Sequence, residues 1–298
     1  MKPKIVECVP NISEGRNENT VKECVNAVAS VPGVTVLNYT SDPDHNRSVI
    51  TFIGSPDGVI EAAVRLCKTA SELIDLRTHS GEHPRMGAVD VIPFIPVKNA
   101  TEEEVIDVSK RAAEQIWNRA SIPVYLYEKS ASAPHRENLA DVRRGEFEGL
   151  SEKTKDPLWQ PDFGSGFHES AGVSIVGARD FLIAYNLNLS TDNVDIAKKI
   201  AKAVRNSSGG LGCVKALGIM LKEKNCAQVS VNVTDFNITP LYRVNELVKA
   251  EAKRWGVHIT STELIGLAPM KALIDSAEYY LQIEDFDFDT QVLENHLL

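Results

Sequence analysis

The stretch FLIAYNLNLSTDNVDIAKKIAKAV, residues 181–204, decides how the rest of the chain is read. Its first nine residues read as a strand, and after a polar turn Val194, Ala197, Ile200, Ala201 and Val204 fall on one helical face. Two strands follow near residues 214–221 and 228–233. Thr239-Pro240 then opens a helix, with threonine as cap and proline at the first helical position. A strand near 258–264 and a helix over 269–276 complete the series. From 181 to 264 the order is β-α-β-β-α-β, the ferredoxin-like arrangement of an antiparallel sheet with helices on one face.

Working back toward the N-terminus, the first half repeats the theme with an extra helix and strand. Strands are expected at 5–9, 34–38, 48–53, 89–97 and 123–127, with a helix at 20–31. Ser55-Pro56 caps a helix whose Val59, Ala63, Leu66, Cys67, Ala70, Leu73 and Ile74 share a buried face. Thr101-Glu102-Glu103-Glu104 is a capping box that starts another. Pro93 and Pro96 limit how far the 89–97 strand can pair inside a sheet. Residues 152–171, with prolines, glycines and much polarity, read as a long ordered loop, a kind often functional in compact domains. The expected class is α+β, with two ferredoxin-like subdomains over 1–180 and 181–298, and the acidic segment 284–289 solvated.

The formal net charge of −9 argues against nonspecific binding to nucleic acid or an anionic membrane, though it leaves room for a local basic pocket. No apolar stretch approaches the ~20 residues that span a bilayer. The N-terminus runs into a strand without a leader-like apolar core. Five scattered cysteines without a C-x-x-C pair suit buried thiols in a reducing cytoplasm.

Chemistry concentrates in His79-Ser80-Gly81-Glu82-His83-Pro84-Arg85-Met86-Gly87-Ala88, between a helical pattern and an apolar strand. Gly81, Pro84 and Gly87 keep it out of regular helix, and loops held between rigid elements are where reactive side chains sit. Three readings stay open. His79-x-x-Glu82-His83 matches an inverted zinc-peptidase string, which works only on a helix. His83 could be a general acid–base, oriented or tuned by Glu82, Arg85 or Asp90. Arg47 and Arg85 could hold carboxylates through their guanidinium forks. Residues 42–47 and 10–15 are further polar clusters at strand ends; each could be an ordinary turn, or all three could form one composite site. The glycine-rich 207–212 lacks the lysine and the strand–helix context of a phosphate loop and reads as a flexible connection.

These residues carry a resemblance. The strings Val6-Glu7-Cys8-Val9-Pro10-Asn11-Ile12-Ser13-Glu14-Gly15, Asn46-Arg47, Gly81-Glu82-His83-Pro84-Arg85-Met86-Gly87-Ala88, Val124-Tyr125-Leu126-Tyr127, Pro161-Asp162-Phe163-Gly164, Val176-Gly177-Ala178-Arg179 and Ala227-Gln228-Val229-Ser230 resemble, in order, those of glutamate formiminotransferases. That family also occurs as the N-terminal part of formiminotransferase-cyclodeaminase. The resemblance implies transfer of a formimino group from N-formimino-L-glutamate to N5 of tetrahydrofolate as co-substrate, with no metal. It implies His83 as the catalytic residue and a folate-binding segment over Gly164, Ser165, Gly166, Phe167, His168, Glu169, Ser170, Ala171 and Gly172. That segment is one residue shorter than in the animal enzymes and lacks an aromatic before Gly172. Asn11, Asp42, Asn46, Arg47 and Arg85 are candidate substrate-binding residues, with Asp42 or Asp44 available to offset a protonated amidine. The resemblance further implies two subdomains around a positively charged tunnel and a homodimer, with the option of a separate cyclodeaminase; from the net charge, no nucleic-acid or membrane partner is expected. The alternatives are a formyltransferase or cycloligase using 5-formyltetrahydrofolate, and a folate-binding protein without turnover.

Overall fold

The computed structural model describes residues 3–81, 83–221 and 224–296. The chain divides into two compact units, Met1–Arg179 and Asp180–Leu298.

Unit one runs β1 (Ile5–Cys8), β2 (Asn11–Ile12), α1 (Glu18–Ala29), β3 (Thr35–Asp42), β4 (Arg47–Gly54), α2 (Pro56–Leu73), β5 (Val89–Lys98), α3 (Glu102–Ala120), β6 (Val124–Leu126), two short helices α4 (Leu139–Val142) and α5 (Leu150–Lys153), and β7 (Ser174–Ala178). Its helices begin where side chains can replace the missing amide partners. Asn17 accepts from Asn19 and Thr20, Ser55 accepts from Gly58 ahead of a first-turn proline, and both halves of the Thr101–Glu104 capping box form.

The sheet is mixed, where an all-antiparallel one is expected from the sequence. β1 and β2 both lie between β4 and β5, β3 pairs with the outer edge of β4, and β7 joins β5 and β6 in parallel. The prolines do not keep β5 out of the interior, because each meets a place that needs no amide donor. Pro93 faces the Val9-Pro10 gap between β1 and β2, where its carbonyl accepts from Val9 N–H at 3.2 Å. Pro96 lies beyond the Val91–Phe94 span paired with β7.

One sheet face packs Val6, Cys8, Ile12, Ile50, Phe52, Ile92 and Phe94 against α1, α2 and α3. Val91, Tyr125, Tyr127 and Ile175 join Met86, Val173 and residues from the short helices, Val142 and Leu150, in a smaller core. Burial of this kind contributes roughly 1.5–3 kcal/mol per large apolar side chain. Glu7 alternates with Val6 and Cys8 on β1 and is only 6% exposed. Burial pushes its carboxyl up to about 7, against the pull of Arg179.

Unit two follows β8 (Ile183–Leu189), α6 (Val194–Val204), β9 (Val214–Leu221), β10 (Cys226–Val233), α7 (Leu241–Arg254), β11 (Ile259–Ile265) and α8 (Met270–Leu281). Its antiparallel sheet has the order β11-β8-β10-β9, with Leu187, Leu189, Val229 and Val231 packed on Ala197, Ile200, Val244 and Val248 of the helices. The expected threonine cap on α7 does not form. Pro240 is the capping residue without a side-chain bond, and the Thr239 hydroxyl donates instead to Gly212 O at 2.5 Å. Among the described residues no helix is long and apolar enough to cross a membrane.

Glu7 generates a pH prediction. Its folded pKa of about 7 exceeds the usual 4.5, so the native state holds a proton that the unfolded chain releases between those values. That stability is complete below 4.5 and is lost as pH rises toward 7 and above. A Glu7→Gln variant should match the wild type at pH 4.5 and exceed it by about 1–3 kcal/mol at pH 8 in urea unfolding. A gap that does not widen with pH would contradict this.

Candidate functional site

Strand register assembles the site. Ile12 stands beside Ser48 on one side and Val89 on the other. The segments just outside these three positions therefore emerge at one end of the sheet: 13–15 after β2, 42–47 around the start of β4, and 83–88 before β5. Side chains lock them together. Ser13 N–H donates to Ala88 O at 2.9 Å and its hydroxyl to Gly87 O at 2.8 Å. The Ser48 hydroxyl donates to Glu14 O at 2.5 Å.

Asn46 is the central tie. It is 7% exposed and holds φ +49°, a conformation asparagine tolerates better than most residues. Its Oδ1 accepts from Gly15 N–H at 2.9 Å and its Nδ2 donates to Ser80 O at 3.0 Å. His79 Nε2–H donates to Asn46 O at 3.1 Å, which leaves His79 Nδ1 to accept from Arg85 Nε–H at 3.2 Å. Both ring nitrogens of His79 are thus engaged, and the ring is neutral; burial, then Arg85, lower its pKa against the pull of Asn46 O.

The 164–172 segment reaches the same sheet end. His168 and Gly172 exchange backbone hydrogen bonds of 2.9 and 2.8 Å, and His168 Nδ1 accepts from Ala171 N–H at 3.1 Å inside the turn. The turn is pinned to the histidine loop, with Ala88 N–H donating to Ala171 O at 2.9 Å and Val173 N–H to Met86 O at 3.0 Å. Two glycines allow this approach. A Cβ at Gly172, where φ is +68°, would lie 2.0 Å from Met86 O, and one at Gly87 would lie 2.0 Å from Val173 O. At the other end of the segment, buried Arg136 donates to Asp162 Oδ2 at 2.7 Å, and that oxygen also accepts from Leu126 N–H at 2.8 Å.

His83 lies half-buried in this cluster. Among the described residues its ring has no hydrogen-bond partner, and the His45 ring centroid is 6.5 Å away, edge-on. Burial pushes its pKa down to about 3; Arg47, Arg143 and His45 add to the shift and Asp42 opposes it. The imidazole is therefore neutral at physiological pH. His45 Nδ1 donates to Asp42 Oδ2 at 2.7 Å, and Asp42 Oδ1 accepts from Asp44 and His45 N–H at 3.0 Å. Burial alone would raise the Asp42 carboxyl, yet these bonds hold it below its usual value.

The two sequence-expected arginines differ. Arg47 makes no ion pair among the described residues, and burial, then Arg143, lower its pKa. Arg85 is 7% exposed and its fork is filled by the chain's own carboxylates: Nη2 donates to Glu148 Oε1 at 2.6 Å and Nη1 to Glu146 Oε2 at 3.2 Å. Asn11 turns its amide to Val9 O at 3.1 Å. Glu82 lies outside the described residues. Asp90, 2% exposed, accepts from Met86 N–H at 2.7 Å and from Arg143 Nη2 at 2.5 Å. Sequence reasoning missed Arg143; it lies 53 residues from Asp90 and carries no local motif. Among the described residues there is no group of three or more His, Cys, Asp or Glu placed to hold a metal ion.

A neutral imidazole near Arg47 and Arg143 has a ring nitrogen that can accept a proton, and the two cations suit an anionic ligand. The chain belongs to the formiminotransferase family: residues 5–179 match its "Formiminotransferase domain, N-terminal subdomain" and residues 184–295 its "Formiminotransferase domain". It is 54% identical to a glutamate formimidoyltransferase of Streptococcus pyogenes serotype M1, over 99% of each chain. It is 47% identical to one of Thermoplasma acidophilum, over 98% of this chain and 97% of that one. It is 42% identical to a formimidoyltransferase-cyclodeaminase of Rattus norvegicus, over 94% of this chain and 53% of the rat protein.

An Asn46→Ala variant strands the Gly15 amide and the Ser80 carbonyl and loses the residue suited to positive φ. It should lower unfolding free energy by about 1–3 kcal/mol in urea titration. An unchanged midpoint would show that Asn46 does not tie the loops.

Proposed function

We propose that this protein is a glutamate formimidoyltransferase, moving the formimino group from N-formimino-L-glutamate to N5 of tetrahydrofolate, with L-glutamate as the second product. The observation that carries the reading is the half-buried, neutral His83, on which the charges of Arg47 and Arg143 act, in the loop to which the 164–172 segment is pinned. The relatives' names favour a formimino donor over a formyl one.

The chemistry needs one proton relay. N5 attacks the amidine carbon and a tetrahedral centre forms; N5 must then lose a proton and the glutamate nitrogen must gain one as its bond to carbon breaks. His83 serves as base for the first transfer and acid for the second. Asp42, kept ionised by its hydrogen bonds, offsets the positive charge of the protonated amidine. Residues 164–172 hold the folate, and alignment of the two substrates supplies much of the acceleration. Arg47 is the better carboxylate ligand of the two sequence-expected arginines, because the fork of Arg85 is filled by Glu146 and Glu148. The enzyme acts as a cytoplasmic homodimer, as the family resemblance implies.

Glutamate release from N-formimino-L-glutamate should depend on added tetrahydrofolate and fall about 10²-fold or more in a His83→Ala variant. Folate-dependent release at the wild-type rate in that variant would remove His83 from the mechanism. Folate binding without release would leave a binding protein.

A further inference from the structure

Arg143 follows α4 as its C-terminal capping residue, with its side chain 14% exposed. Asp90 holds Nη2, and the buried Nε–H has no partner among the described residues. A buried donor left unmade is costly, so this one marks a place where a ligand is expected to complete the structure. Charge points the same way. Arg143 acts on Arg47, and both act on His83, while the nearby carboxylates have partners of their own: Asp90 bonds Met86 N–H and Arg143, and Asp42 bonds His45. Arg47 makes no ion pair among the described residues, with Asp90 and Asp42 only opposing from nearby, and a half-buried guanidinium without a direct counter-ion favours an anion.

We propose that Arg143, held by Asp90, forms with Arg47 the subsite for the α-carboxylate of the formimino donor. The inference rests on the transferase reading. The location selects this carboxylate. In N-formimino-glutamate the α-carboxylate sits on the carbon that bears the departing glutamate nitrogen, the atom that must be protonated, so it must lie beside the group that moves the proton. The carboxylates of tetrahydrofolate are separated from N5 by the whole aminobenzoyl unit. A guanidinium fork suits a carboxylate through two parallel N–H···O bonds, and Asp90 fixes its orientation before the substrate arrives.

The test is steady-state kinetics of wild type, Arg143→Gln and Arg143→Lys, with KM measured separately for each substrate and thermal unfolding as the check on folding. Arg143→Gln should raise the donor KM about 10- to 100-fold and leave the tetrahydrofolate KM within about twofold. Arg143→Lys, which keeps the charge and loses the fork, should fall between. The donor analogue lacking the α-carboxylate, 4-(formiminoamino)butanoate, should be a poor substrate for wild type, and Arg143→Gln should add no further loss with it. An unchanged donor KM overturns the subsite. A rise confined to tetrahydrofolate assigns the arginine to the folate tail, and a rise in both with a lowered melting point makes it a structural residue; both overturn the proposal. If wild type shows no transfer, the transferase reading fails. The subsite is then judged by calorimetry of L-glutamate, which should bind wild type and be lost with Arg143→Gln.

Discussion

The carboxylate of Asp90 is the interaction on which the site depends. It is buried at the start of a central strand, and it accepts from the amide of Met86 and from the guanidinium of Arg143. The first bond fixes the loop that carries His83; the second brings in a cation from a distant part of the chain. A carboxylate is expensive to bury without hydrogen-bond donors, and these two bonds supply them. The Gly87 and Gly172 contacts then press the 164–172 turn onto the same loop, so a catalytic histidine candidate and a folate-binding candidate share one anchorage.

The electrostatics follow from that arrangement. Burial, and then two guanidinium groups, keep His83 neutral, which leaves the ring free to take a proton. The same surroundings make it a weak base in the empty site. On the proposed reading, a substrate carboxylate held by Arg47 and Arg143 offsets their field and moves the imidazole pKa upward, while the effect of burial remains. His79 shows the contrast within the same loop, since both of its nitrogens are committed to holding Asn46 and Arg85.

Much of this was legible in the sequence, for physical reasons that differ by element. The helices announced themselves through local chemistry: Ser55 before Pro56, Thr101 with Glu104, and the apolar face from Val194 to Val204. The strand order of unit two followed from β-α-β-β-α-β alternation. That residues 10–15, 42–47 and 79–88 meet could be suspected because each flanks a strand, but only the register of Ile12 with Ser48 and Val89 brings them together. The two-residue strand Asn11–Ile12 is too short to leave a periodic signal. Interior placement of Pro93 needed knowledge of the gap opposite it. Pairing of Arg85 with Glu146 and Glu148, and of Asp90 with Arg143, spans more than fifty residues and has no local signature.

The most direct test of the cationic-pocket account is an NMR pH titration of the His83 ring, identified by comparison with a His83→Gln variant, without and with L-glutamate. In the free protein the ring should stay neutral far below the ordinary 6.5, titrating toward about 3. Saturating glutamate should move that pKa upward. A ring that titrates near 6.5 and ignores glutamate would contradict the account.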